Sequence, residues 1–160
     1  MKYTSWTVVH TPVGELMLVS SDAGLAHVVF ECEDFALRRS ELGLSGAQAP
    51  GAEAARQLEE YFAGRRRSFD LALDWGAGGG FHRRVQRALA EIPYGETRTY
   101  SEFASHLGSP RAVRAVGAGC ARNPLPIVSP CHRVVRSDGS LGGYRGGLEV
   151  KQRLLELEAA

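Results

Sequence analysis

The sequence predicts an α+β fold, with a small N-terminal α/β domain followed by a mainly helical C-terminal domain. Three short apolar runs separated by tight turns fill residues 3–30, a pattern typical of an antiparallel meander. From Phe81 onward, apolar residues recur at spacings of three and four, which is typical of amphipathic helices. The glycine-rich stretch 76–80 lies between the two patterns. We therefore expect domains at 1–75 and 81–160, joined by a linker at 76–80.

The N-terminal domain is expected to contain one sheet and one helix. Its predicted strands are Tyr3–Val9, Glu15–Ser20 and Leu25–Phe30, with turns at 11–14 and 21–24. Residues 31–50 show no clear period, and 43–51 is expected to be a loop. Apolar spacing predicts a helix over 52–62, and residues 69–73 are predicted as a further short strand. The basic triplet 65–67 is interpreted as part of a solvated loop.

The C-terminal domain is expected to contain four helices. They are predicted over 81–92, 100–107, 110–121 and 148–158. Thr99 and Glu102 form a capping box that begins the second helix. Ser109 can cap the third, with Pro110 at its first position. Because a turn containing Gly108 joins the second and third helices, we predict a helix-turn-helix.

Composition and charge favour a polyanionic partner and argue against a membrane, secreted, disulfide-rich or zinc-binding protein. The chain has 160 residues and a net charge of +1, but residues 1–80 carry a net −4 and residues 81–160 a net +5. A basic C-terminal half suits a polyanionic partner. No apolar run reaches the length of a membrane span, and the N-terminus lacks the apolar core of a signal peptide. Three widely spaced cysteines argue against a disulfide framework or a zinc site and favour the cytoplasm.

The stretch Pro130–Val134 is the best candidate for covalent chemistry. Cys131 is a possible nucleophile, and His132 and Arg133 are the nearest groups able to favour its thiolate. The alternative is a buried, inert cysteine beside a histidine. Adjacent side chains often point apart, so adjacency alone does not establish a contact between Cys131 and His132.

The glycine-rich segment 139–147 favours a binding pocket near this thiol. Its two glycine pairs flank Tyr144 and Arg145, and glycine backbone can approach a ligand closely. The predicted helix 110–121 is rich in alanine and glycine. Small side chains let a helix enter a narrow groove, which predicts minor-groove DNA binding. A buried packing helix would show the same composition.

The ordered motifs of the C-terminal half resemble those of the methylated-DNA–protein-cysteine methyltransferases, also called O6-alkylguanine-DNA alkyltransferases. The resemblance rests on Asn123-Pro124, Pro130-Cys131-His132-Arg133-Val134-Val135, Gly143-Tyr144-Arg145-Gly146-Gly147-Leu148 and Lys151. It extends from about Phe81 to Glu158, whereas the N-terminal half matches only in pattern. It implies a ribonuclease H-like sheet in the N-terminal domain and DNA repair by alkyl transfer in the C-terminal domain.

The resemblance assigns the chemistry to four residues. Cys131 would accept the alkyl group from O6-alkylguanine, and also from O4-alkylthymine. His132 would take the thiol proton through a water, and Glu158 would orient His132. Tyr144 would donate a proton to the leaving guanine. The thioether product is not hydrolysed, so each molecule would react once, without a metal or organic cofactor.

The resemblance also assigns residues to DNA binding and to the substrate pocket. DNA binding and base flipping would involve Tyr100, Arg114, Ala115, Gly117, Ala121 and Asn123. Arg114 would fill the gap left by the flipped base, Tyr100 would push on its phosphate, and Asn123 would tie the loop beside the thiol. Pro130, Val134 and Arg145 would line the guanine pocket. The implied partner is double-stranded DNA, and the implied state is a monomer without an obligate protein partner or a membrane.

Two positions depart from the family pattern. Ser129 stands where an aliphatic residue is usual, and Gln86 where tryptophan is frequent.

Four other functions compete with alkyl transfer. A non-enzymatic reader of alkylated DNA would lack Cys131, and a fused sensor-regulator would need a cysteine-rich zinc module. A helix-turn-helix repressor would leave the Tyr144 segment unexplained. A cysteine hydrolase would leave the helix-turn-helix without a role.

Overall fold

The computed structural model describes residues 1–45 and 51–160. They form two compact units, Met1–Gly76 and Ala77–Ala160. The first is a sheet with helices and the second is mainly helical, so the predicted α+β class is confirmed. Within the described ranges, no helix combines the length and apolar composition needed to cross a bilayer.

The first unit is built on a three-stranded antiparallel sheet. Its strands are β1 (Tyr3–Thr11), β2 (Gly14–Ser21) and β3 (Gly24–Phe30), in the order β1-β2-β3. Tight turns join neighbouring strands, so the predicted meander is confirmed. The four consecutive residues 16–19 of β2 are all buried. Because successive side chains alternate between faces, both faces of the central strand are covered.

Two α-helices accompany this sheet within residues 1–45 and 51–76. Helix α1 (Phe35–Glu41) lies in the stretch where the sequence shows no clear period, and it was not predicted. Its start is marked by Asp34, whose Oδ1 accepts a hydrogen bond from the Leu37 N–H at 3.2 Å; two turns are too short to show a period. Helix α2 (Ala52–Phe62) confirms its prediction. Most of the predicted loop 43–51 lies outside the described residues.

Residues 69–73 do not form the predicted strand. One isolated bridge joins Leu73 to Leu25, held by Leu25 N–H to Ala72 O at 2.9 Å and Asp74 N–H to Leu25 O at 2.8 Å. The two chains approach so closely that a Cβ at Gly24 would lie 2.3 Å from Ala72 O. A close crossing therefore replaces a strand pairing.

The second unit contains four helices and a short parallel strand pair. The elements are α3 (Gly80–Ala88), β4 (Arg98–Thr99), α4 (Tyr100–His106), α5 (Val113–Ala121), β5 (Val134–Val135) and α6 (Leu148–Ala159). Gly80, placed in the linker from sequence, is the first residue of α3, which continues into a 3-10 turn over Leu89–Glu91. The capping box at Thr99 is confirmed, with both reciprocal hydrogen bonds to Glu102 present.

Helix α5 begins later than predicted. Residues 109–112 form a turn in which the Ala112 N–H donates to Ser109 O at 2.9 Å. Pro110 is the second residue of this turn, a position that its fixed φ also favours. The prediction that Pro110 opens the helix is therefore wrong, and α5 starts at Val113 without a side-chain cap.

The strand pair β4–β5 positions the loop that carries Cys131. Arg98 pairs with Val134 and Thr99 with Val135, in parallel. The segment just after Cys131 is thereby held beside the start of α4. Two-residue strands are too short to leave a sequence pattern, so they were not predicted.

Candidate active site and nucleic-acid interface

Cys131 begins a short 3-10 turn, Cys131–Arg133, between Pro130 and β5. The turn is closed by the Arg133 N–H, which donates to Pro130 O at 3.1 Å. Cys131 is 7% exposed. The thiol therefore lies inside the unit, and a reactant must enter a pocket to reach it.

A pocket of about 340 Å³ leads to Cys131. It is lined by Tyr100, Gly117, Cys120, Ala121, Asn123, Pro126, Cys131, Gly143, Tyr144 and Arg145. Six of the residues predicted for chemistry, DNA binding or the guanine pocket thus share this wall with the thiol. Cys120 and Pro126 were not predicted to do so.

The remaining predicted residues lie away from that wall. His132, Glu158, Pro130 and Val134 are buried, and the first two form a separate array. Arg114 is exposed on α5 and lines a neighbouring cavity. Ala115 is half-buried on α5 and lines neither of these cavities.

A buried array connects His132 to helix α6. His132 Nε2 lies 2.8 Å from Glu158 Oε1. The Arg133 guanidinium donates to both carboxylate oxygens of Glu158, each at 2.9 Å, and to Ile92 O at 2.7 Å. Glu158 is 4% exposed although it is two residues from the end of the sequence. This docking fixes the end of α6. Arg133, named above only as a nearby charge, is the residue that anchors the carboxylate.

Charge in the array fixes the protonation of His132. Burial raises the pKa of Glu158, but hydrogen bonds from His132 and Arg133, together with the positive charge of Arg133, outweigh it and lower the pKa to about 2. An ionised carboxylate only accepts hydrogen bonds, so Nε2 of His132 carries a proton. Burial lowers the pKa of His132, against the opposing effect of Glu158. A neutral ring then leaves Nδ1 as an acceptor, and this buried atom has no hydrogen-bond partner among the described residues.

Several groups act on the Cys131 thiol. Burial raises its pKa, whereas a hydrogen bond from Asn123 and the positive charges of Lys151 and Arg145 act to lower it. The net direction is upward, because desolvation is the largest effect. Such a thiol is protonated at neutral pH, so its reaction requires a base.

Asn123 shapes the loop that precedes the thiol. Its Nδ2 donates to Ser129 O at 2.8 Å, and its Oδ1 accepts from the Leu125 N–H at 3.1 Å. Within this loop Ile127 has a φ of +73°. A β-branched residue rarely adopts this conformation, which costs about 1–3 kcal/mol. The bonds of Asn123 offset part of that strain.

Two cationic side chains hold the glycine-rich segment in place. Lys151, on α6, is fully buried and donates from Nζ to Val134 O at 2.8 Å, to Gly143 O at 3.4 Å and to Leu141 O. Arg145 donates to Ala121 O at 2.5 Å and to Asn123 O at 3.3 Å. The segment that carries Tyr144 is therefore tied both to β5 and to the end of α5.

Lys151 belongs to the family motif, but the sequence assigned it no role. The signal for its position is its place on α6, because Lys151, Leu154 and Glu158 are the buried positions of that helix. A lysine and a glutamate on the core-facing stripe of an amphipathic helix require partners. The sequence therefore indicated that Lys151 and Glu158 both have buried partners.

The two departures from the family pattern lie in one buried polar network. The Ser129 hydroxyl donates to Gln86 O at 2.5 Å. The Gln86 amide donates to Gly119 O at 3.0 Å and accepts from Arg83 at 2.8 Å. The carbonyls near a helix C-terminus lack helical partners, and Gln86 satisfies that of Gly119 from α3. Gln86 thus links α3 to α5, and Ser129 links α3 to the loop that precedes Cys131.

Comparison with known proteins places this architecture in a family. A model of the 6-O-methylguanine DNA methyltransferase DNA-binding domain matches residues 80–160, and a model of the ribonuclease-like domain of the same enzymes matches residues 4–75. The chain belongs to this family. Family membership confirms the resemblance read from the Cys131 and Tyr144 motifs and extends it over the N-terminal half.

Full-length relatives agree with this assignment. A methylated-DNA–protein-cysteine methyltransferase of Methanosarcina barkeri is 45% identical over 157 residues, which cover 96% of each chain. The O6-methylguanine methyltransferase of Mycobacterium tuberculosis has a crystal structure with a TM-score of 0.86 and 39% identity, covering 97% of this chain and 92% of that one. The same organism's protein in complex with DNA gives a TM-score of 0.83 and 38% identity, covering 98% and 93%.

Proposed function

We propose that this chain repairs DNA by transferring the alkyl group of O6-alkylguanine to Cys131. The observation that carries the proposal is a buried thiol at the wall of a pocket that Tyr144 also lines. Behind the thiol, His132, Glu158 and Arg133 form an array able to accept a proton. Membership of the methyltransferase family supports the same activity.

The proton of Cys131 passes to Nδ1 of His132, through an intervening water. Neutral His132 has the acceptor that this step needs, because Nε2–H is directed at Glu158. Once protonated, the imidazolium is stabilised by the ionised Glu158 carboxylate. Asn123, Lys151 and Arg145 favour the thiolate that remains.

The thiolate attacks the alkyl carbon, and the carbon–O6 bond breaks as the carbon–sulfur bond forms. The electron pair goes to O6 of the guanine, where Tyr144 donates a proton or a hydrogen bond. Backbone groups of Val134 and Arg145 recognise the guanine edge, and Pro130 fixes the backbone ahead of the thiol. The product is a thioether, so each molecule reacts once. The same chemistry extends to O4-alkylthymine, which also carries its alkyl group on an exocyclic oxygen.

Duplex DNA reaches the thiol only if the target nucleotide leaves the stack. Helices α4 and α5 act as a helix-turn-helix, and the small residues Ala115, Gly117 and Ala121 allow α5 to enter the minor groove. Arg114, exposed on α5, fills the gap in the stack. Tyr100 presses on the phosphate of the target nucleotide.

The chain acts on double-stranded DNA as a monomer, without an obligate protein partner. It needs no metal or organic cofactor, because the nucleophile, Cys131, and the general base, His132, are its own side chains. Activity requires Cys131 to stay reduced, which favours the cytoplasm. We also propose that the chain is organised as two domains, residues 1–75 and 81–160, joined by a linker at 76–80.

Two cysteine variants test the proposal. Cys131→Ser removes the nucleophile and is expected to abolish methyl uptake from an O6-methylguanine duplex while duplex binding persists. Cys120→Ser changes a second thiol of the same pocket and is expected to retain uptake, because burial raises the pKa of Cys120 well above the ordinary value of a thiol. Methyl uptake by Cys131→Ser would refute the proposal, as would wild-type protein that binds this duplex without taking up the methyl group.

A further inference from the structure

A second cavity, of about 550 Å³, adjoins the pocket of Cys131. It is lined by Tyr100, Val113, Arg114, Gly117, Arg136, Ser137, Asp138 and Gly143. Tyr100, Gly117 and Gly143 also line the pocket of Cys131, so the two cavities share a wall. A nucleotide with its base in the pocket would place its backbone beside the second cavity.

Two guanidinium groups from different elements line this second cavity. Arg114 projects from α5, and Arg136 directly follows β5. Both are exposed, and neither side chain makes a hydrogen bond or an ion pair with the described residues. Like charges on one cavity repel each other unless an anion lies between them. The cavity therefore favours an anionic ligand.

The turn after β5 holds Arg136 in place. Arg136 N–H donates to Ser140 O and Gly139 N–H donates to Arg136 O, both at 3.0 Å. The one carboxylate in the lining, Asp138, accepts from the Ser140 N–H at 2.9 Å and from its hydroxyl at 2.6 Å. Those bonds to Ser140 chiefly hold the pKa of Asp138 below its usual value. Asp138 thus stabilises the turn, and the backbone that carries Arg136 is held by its hydrogen bonds to Gly139 and Ser140.

We propose that Arg136 is an anchor for the DNA phosphodiester next to the flipped nucleotide. This inference rests on the proposed function and adds a phosphate subsite to it. If Arg114 enters the base stack, it leaves the cavity, and Arg136 is the guanidinium that remains there. Arginine suits this role because its planar fork matches phosphate oxygens and its charge does not titrate. Arg136 then acts on the DNA backbone, and the chemistry of the base is left to the other pocket.

The salt dependence of duplex binding tests this subsite. Arg136→Gln in a Cys131→Ser background, which cannot react, is compared with the same background alone over about 50–200 mM salt. Loss of one phosphate contact is expected to reduce the slope of log K against log salt by about 0.9, so the affinity ratio changes roughly eightfold per tenfold change in salt. Arg136→Lys is expected to keep the slope. Arg153→Gln, at an exposed position of α6 outside the cavity, is the matched control.

Methyl transfer from duplex DNA, compared with alkyl transfer from a free alkylated guanine, separates the role of Arg136 from the role of the Cys131 pocket. In the Cys131-containing protein, Arg136→Gln is expected to slow methyl transfer from the duplex and leave the rate with free O6-benzylguanine unchanged. An unchanged salt slope, or an equal loss of rate with the free base, would overturn the proposal. A wild-type protein that never takes up the methyl group would defeat the proposed function instead, while the slope measured on binding would still decide the role of Arg136.

Discussion

At the scale of single residues, the proposed chemistry depends on how the proton leaves Cys131. Burial raises the pKa of the thiol, so the thiol is a weak acid until a base acts on it. In the proposed mechanism neutral His132 is the base, and Glu158 holds its ring in the tautomer that leaves Nδ1 as an acceptor. Arg133 in turn keeps the carboxylate ionised inside the unit. In the proposed mechanism only His132 acts on the thiol, while Glu158 and Arg133 act through His132.

Replacing Tyr144 by Phe tests the proton donor. The ring remains and the pocket keeps its shape, but the donor to the leaving O6 is lost. Removing one preorganised donor from a reacting oxygen typically costs about 10²–10³ in rate, and single-turnover transfer from a duplex should slow by that order. Tyr3→Phe, in the first unit, is the control. Transfer by Tyr144→Phe at the wild-type rate would remove the role assigned to this hydroxyl.

The array also makes stability depend on pH. The folded pKa of Glu158 is about 2 against an ordinary value of 4.5, and burial lowers that of His132 below 6.5. In both cases the unfolded chain binds more protons as the pH falls, so stability is fully present above about pH 6.5 and is lost progressively below it. The free energy of unfolding, measured by urea titration between neutral and acidic pH, should show this loss.

Glu158→Gln is the variant that isolates the array. It leaves Arg133 buried without its counter-ion, and breaking a buried pair typically costs about 3–5 kcal/mol. The variant is expected to be less stable near neutral pH, to lose less stability on acidification, and to transfer the alkyl group more slowly. Glu149→Gln, at an exposed position of the same helix, should change none of these. A pH profile of unfolding identical to wild type would contradict the assignment.

At the scale of secondary-structure elements, helix α5 contributes both to the pocket of Cys131 and to the packing of the unit. One side packs so tightly on α3 that a Cβ at Gly119 would lie 3.0 Å from Val85 Cβ. Gly117 and Ala121 line the pocket of Cys131 instead. The small residues of α5 therefore allow close packing on α3 and also form part of the wall of the Cys131 pocket. Helix α5 is thus not only a buried packing helix. Helix α6 contributes differently, since Lys151 and Glu158 reach back to the reactive segments.

Arg114 on α5 tests base flipping. Arg114→Ala should slow transfer from duplex DNA, because nothing then fills the gap in the stack, while transfer from free O6-benzylguanine should continue at the wild-type rate. The ratio of the two single-turnover rates is the measurement. Arg87→Ala, at an exposed position of α3, provides the control. Equal losses with the duplex and the free base would mean that Arg114 shapes the pocket and has no part in extrusion.

At the scale of the whole molecule, the sequence predicted what depends on periodicity and on motifs. The meander, α2, the capping box at Thr99 and the family were accessible because alternation, turn residues and ordered motifs are local signals. The β4–β5 pair and helix α1 are too short to show a period. The roles of Arg133 and Lys151 arise from contacts between distant segments, as with Lys151 and Val134. Such contacts form only when the chain is folded.

The measurement that tests the central claim most directly is the intact mass of the protein after incubation with excess O6-methylguanine duplex. One added methyl group per chain, mapped to the peptide that contains Cys131 and not rising with time, is the predicted result. More than one methyl group per chain, or a methyl group on Cys120, would contradict the assignment of a single-use acceptor. A protein that stays bound to the duplex at its original mass would show recognition without transfer.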